Sequence, residues 1–156
     1  MTLEALANIG ELIAGLGVVA SLVFLAIQIR QNTKSVDSAA YQETTKIFQN
    51  IQMLPVTDAE VAEILMKASN DYTSLSDVEK YRVGSYVFSV FAAFQSVFKG
   101  YENGTVDKEL WIGSRNAIKT MLPEEYVTIW WREQAPPMSD GFTKEINSIY
   151  IEIGRT

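Results

Sequence analysis

From Leu12 to Ile29 the chain reads LIAGLGVVASLVFLAIQI, an apolar run of 18 residues without a charge or a proline. At about 1.5 Å per residue a helix of that length covers about 27 Å, close to a hydrocarbon core of roughly 30 Å. Ile9 and Gly10 extend it, so the pattern predicts a transmembrane helix over residues 9–30. A short extracytoplasmic N-terminus, 1–8, precedes it and a cytoplasmic helical domain, 31–156, follows. A cleaved signal peptide fits poorly. Its start would carry Glu4 and Glu11 in place of Lys or Arg, and Ala26-Ile27-Gln28-Ile29-Arg30 is a poor cleavage site. A buried soluble helix fits less well than a span, because the hydrophobicity goes all the way round.

Beyond the run the periodicity is helical throughout. Val18 to Leu54 holds neither glycine nor proline, so the span is free to continue as one helix to a stop before Pro55. Asn32 and Thr33 mark the alternative, a break and a new cap. Val36, Ala40, Ile47, Ile51 and Leu54 form an incomplete apolar face with Phe48 beside it, which needs cover from the domain or a neighbouring chain. Thr57-x-x-Glu60 and Ser76-x-x-Glu79 have capping-box spacing and predict two helix starts. The second opens the most apolar helix of the domain, in which Val83 to Phe98 is uncharged. At 16 residues, with Gly84, Gln95 and three serines, that stretch reads as a central helix and not a second span. Gly100 and Gly104 punctuate its end. Thr105 or Asp107 caps a following helix, Pro123-Glu124-Glu125 opens another, Pro136-Pro137 stops it, and Ser139 or Asp140 starts the last. No stretch reads clearly as a strand; Tyr150 to Ile153 is the nearest. The predicted fold class is all-α: one N-terminal transmembrane helix, continuous with a long cytoplasmic helix if nothing breaks it, then a small helical bundle.

Inside the span, Gly10, Ala14, Gly17 and Ser21 share one face, which permits close approach of a second helix. Glu11 and Gln28 stand near the two membrane edges. In an assembly enclosing a lumen they would form polar rings, although Glu11 also reads as an interfacial cap. Arg30 and Lys34 follow the run and no basic side chain precedes it, which predicts an outside N-terminus and a cytoplasmic remainder.

Charge and composition narrow the chemistry. The net charge is −6, no basic stripe is present, and a nucleic-acid partner is not expected. Cysteine and histidine are both absent, which removes disulfides, thiolate chemistry, imidazole bases and the commonest metal ligands. The acid pairs Glu60/Glu63 and Glu124/Glu125 read as helix starts, with no Glu-x-x-His motif beside them. Phosphate-loop, dinucleotide and nucleophile-elbow motifs are missing. Trp111, Trp130, Trp131, Phe142 and Tyr150 either line a ligand pocket or, as their helical spacing favours, form the core. No cofactor, no metal and no enzymatic activity are expected.

The residues Ile9-Gly10-Glu11, the apolar run, and Gln28-Ile29-Arg30-Gln31-Asn32-Thr33 resemble the opening of a group of small bacterial single-pass membrane proteins. Tyr101-Glu102-Asn103-Gly104, Leu110-Trp111, Trp130-Trp131, Phe142 and Ile146 are similar to the later half of that group. The resemblance implies a bacterial inner-membrane anchor with a helical domain, and it implies no reaction. The expected role is therefore non-enzymatic: a lipid-embedded protein that forms a homo-oligomer through its span and its domain. The alternatives are an accessory subunit docked on a larger membrane complex and an ion-conducting oligomer.

Overall fold

The computed structural model describes residues 2–134 and 137–154, in six α-helices and one 3-10 turn. In chain order these are α1 (Leu3–Thr57), α2 (Ala59–Asn70), the turn Tyr72–Ser74, α3 (Asp77–Glu102), α4 (Lys108–Met121), α5 (Glu125–Gln134) and α6 (Asp140–Glu152). No strand occurs among the described residues, and Tyr150 to Glu152 lie in α6. The chain divides into two units, residues 1–39 and 40–156, each described in its own right.

In the first unit α1 is unbroken, so Asn32 and Thr33 do not recap it. The Thr33 hydroxyl instead donates to the Ile29 carbonyl at 3.0 Å, and Ser35 does the same to Gln31 at 3.0 Å. Hydroxyls folded back on the preceding turn leave the backbone ladder intact. From Leu12 to Ile29 every side chain is exposed. Among the described residues, α1 is the helix long and apolar enough to cross a membrane. The uncharged stretch of α3 does not qualify.

The second unit takes in the C-terminal part of α1, which runs past the expected stop and contains Pro55. Proline removes one donor, but Asp58 still donates its backbone N–H to the Leu54 carbonyl at 3.0 Å and closes the last turn. The cap of α2 accordingly moves one residue. Thr57 turns its hydroxyl back to Met53, and Asp58 accepts from the N–H groups of Glu60 (3.0 Å) and Val61 (3.3 Å). Ser76 and Glu79 form the expected capping box at the start of α3.

Helix α3 is the centre of this unit and packs against α2, α4, α5 and α6. Two phenylalanines seven residues apart organise the core. Phe91 stands 5.6 Å from Trp130 and 5.3 Å from Trp131, ring centre to ring centre. Phe98 stands 5.2 Å from Trp111 and 5.7 Å from Phe142. The first node joins α3 to α5, the second joins it to α4 and α6. Gly100 lies inside α3 instead of ending it, and Gly104, with φ +72°, makes the turn that follows. Asp107 caps α4 by accepting from Leu110 N–H at 2.7 Å, while Thr105 returns its hydroxyl to the Gly100 carbonyl. Ser139 occupies the N-cap position of α6 without a side-chain cap, its N–H donating to Gln95 Oε1 at 2.6 Å. Of the expected stop at Pro136-Pro137, Pro136 lies outside the described residues.

Candidate functional site

At about 100° per residue, Gly10, Ala14, Gly17 and Ser21 fall within an arc of about 60° on α1. A Cβ built on Gly10 or Gly17 meets no atom within 4 Å, so this face is open. The Ser21 hydroxyl donates to the Gly17 carbonyl at 2.8 Å. Its polarity is satisfied within the helix, and what it presents outward is its small size. Gln28 lies about five turns beyond Gly10 and returns to the same face, whereas Glu11 sits about 100° away. A single helix orientation therefore turns Gln28, and not Glu11, toward whatever the small stripe faces. Arg30 and Lys34, one turn apart and exposed, enter no ion pair among the described residues.

In the helical unit one acid of each candidate pair, Glu60 and Glu124, has an ordinary structural partner. Glu60 pairs with Arg82, whose guanidinium is held above its usual range chiefly by that hydrogen bond. Glu124 accepts the Ser69 hydroxyl at 3.0 Å. Arg115 donates through Nε to Glu145 (2.6 Å) and through Nη1 to Glu152 (2.8 Å), and Lys119 also pairs with Glu152. These pairs tie α4 to α6. The hydrogen bonds from Lys119 and Arg115 hold the Glu152 carboxyl below the usual range. Among the described residues no three acids gather as metal ligands would.

The aromatics named from the sequence are core. Trp111, Trp130, Trp131, Phe142 and Tyr150 are all buried, and Trp130 also edges a cleft with Tyr72, Lys80 and Glu133. A second opening, of about 610 Å³, lies between the 41–52 stretch of α1, α3 and α4. Phe48 and Phe94, their ring centres 4.9 Å apart, form part of its wall together with Tyr86 and Ser114. Burial pushes the Tyr86 phenol above its usual range. Sequence reasoning placed Phe48 beside an uncovered face and passed over the others. The available signal was Ser114, a hydroxyl sharing the buried face of α4 with Trp111 and Ile118 at helical spacing.

Fold and sites together define an all-α chain with, among the described residues, one helix long and apolar enough to span a bilayer and a bundle built on α3. Comparison with protein-family models, curated proteins and solved structures finds no match.

Proposed function

We propose that this chain is a non-enzymatic, membrane-anchored protein whose span packs against the spans of further copies, giving a homo-oligomer in a bacterial inner membrane. Residues 9–30 cross the bilayer with the N-terminus outside, and the bundle lies in the cytoplasm, on the side of Arg30 and Lys34. The observation that carries the reading is the exposure of the whole run from Leu12 to Ile29, with an open face at Gly10 and Gly17. Exposed apolar helix on that scale is stable in lipid and not in water. A face of small residues then lets two backbones approach closely enough for extensive van der Waals contact.

The test is the protein mass of the particle in mild detergent, measured by light scattering with the detergent contribution subtracted. A discrete multiple of 17.4 kDa is expected. Gly17→Leu reduces it to the single chain, because the leucine occupies the space a second helix needs. Nothing within 4 Å of the Gly17 Cβ position opposes that side chain in the monomer, so loss of assembly is separable from misfolding. A wild-type particle of single-chain mass overturns self-assembly. A stoichiometric foreign chain retained from native membranes turns the reading to an accessory subunit.

A further inference from the structure

The opening between α1, α3 and α4 has the size of a small-molecule site, and its wall has a definite chemistry. Its volume, about 610 Å³, falls within the roughly 300–1,000 Å³ of ligand pockets. Phe48, Phe94, Leu110 and Met121 supply an apolar lining. Ser114 is 94 % buried by residue (6 % exposed), yet its hydroxyl enters no hydrogen bond among the described residues. Other helical hydroxyls here behave differently: Ser85, Ser89, Ser96 and Thr120 each donate to the carbonyl four residues earlier. The residue is buried but its oxygen opens on the cavity, so its hydrogen-bond partner, water or a bound molecule, reaches it from there.

The rim is acidic. Asp107 and Glu109 line the opening, and no lysine or arginine does. Asp107 is engaged as the cap of α4, whereas Glu109 enters no ion pair or hydrogen bond among the described residues. An anionic head group would meet like charge and no cation.

We infer that this cavity binds a small cationic amphiphile, its apolar body against Phe48 and Phe94, its ammonium head at Glu109, and a polar atom within reach of the Ser114 hydroxyl. The inference does not depend on self-assembly of the span. Gly113 supplies the means of testing it: it lines the cavity, and a Cβ built there meets nothing within 4 Å. A side chain at 113 therefore starts in open space at the cavity wall, and its first carbon displaces no protein atom.

The experiment is a fluorescence titration of the full chain in dodecyl maltoside, with protein-free micelles as blank. The probe is dansylcadaverine, an apolar fluorophore with a protonated amine, and the control is dansylglycine, the same fluorophore with a carboxylate. Saturable, blue-shifted binding of the amine alone is expected. Gly113→Leu weakens it by about tenfold or more, and Glu109→Gln and Ser114→Ala by about three- to fivefold. Helix content by circular dichroism stays at the wild-type level in all three. Equal binding of the carboxylate, absence of saturation, or indifference to both Gly113→Leu and Glu109→Gln overturns the assignment. So does binding that appears only in the Gly17→Leu chain, which would place a second copy in the cavity.

Discussion

At the residue scale, two positions carry consequences out of proportion to their size. Gly100 lies within α3, where the 105–106 loop folds back over it: Thr105 and Val106 donate their N–H groups to the Gly100 carbonyl at 2.8 and 3.1 Å. A Cβ at 100 would overlap the branched side chain of Val106. Gly100→Ala should therefore cost about 1–3 kcal/mol, despite the better helix propensity of alanine. Chemical denaturation checks this; a neutral or stabilising result would show that the loop yields freely. Glu79 carries the pH dependence. Its carboxylate accepts the Ser76 N–H and hydroxyl and the Lys67 ammonium, and those hydrogen bonds, Ser76 first, lower its pKa from 4.5 to about 2. A depressed folded-state pKa favours folding fully above the unfolded value and loses that contribution as pH falls toward the folded one. Glu79→Gln should thus melt below wild type near pH 5 and together with it near pH 2. Thermal melts of both proteins followed by circular dichroism test the point, and a gap independent of pH would count against it.

At the element scale, α1 and α3 are both apolar helices in opposite situations. Eight side chains of α3, among them Val83, Phe91, Phe94 and Phe98, are buried by neighbouring helices. Its serines turn outward with their hydroxyls bonded to their own backbone. The run from Leu12 to Ile29 buries none. Phe91 is fully buried between Trp130 and Trp131, so Phe91→Ala should destabilise the bundle by about 3–5 kcal/mol. Denaturation monitored by tryptophan emission reads that loss directly, since the two indoles lose their packing partner. A loss well under 1 kcal/mol would mean that the aromatic node is not the organising contact.

At the scale of the whole molecule, orientation is the quantity to settle, and the absence of cysteine makes it accessible. Single cysteines at Thr2 and Asn147 report the two ends. With a membrane-impermeant maleimide, Thr2→Cys should be labelled in spheroplasts from outside, and Asn147→Cys only after permeabilisation. The reverse pattern would invert the topology, and labelling of both from outside would remove the span altogether. The charge bias behind the expectation rests on Arg30 and Lys34, the basic residues nearest the run.

What the sequence determined by itself was whatever depends on neighbours along the chain. The length and composition of the 12–29 run, the helical period of each later segment and the Ser76/Glu79 box are local properties, and the helices followed from them. The shift of the α2 cap from Thr57 to Asp58 is a local matter too, decided by whether the turn at Pro55 closes. Tertiary structure alone decided which apolar residues would meet. Trp130 and Trp131 fall on Phe91, and Trp111 on Phe98, because α3 lies within reach of α4, α5 and α6. It also decided that Gly100 serves the approach of Val106, and that Phe48, Tyr86 and Ser114, far apart in the chain, share one cavity wall. Helical period says which face a residue occupies, and packing of distant segments says what that face finds opposite it.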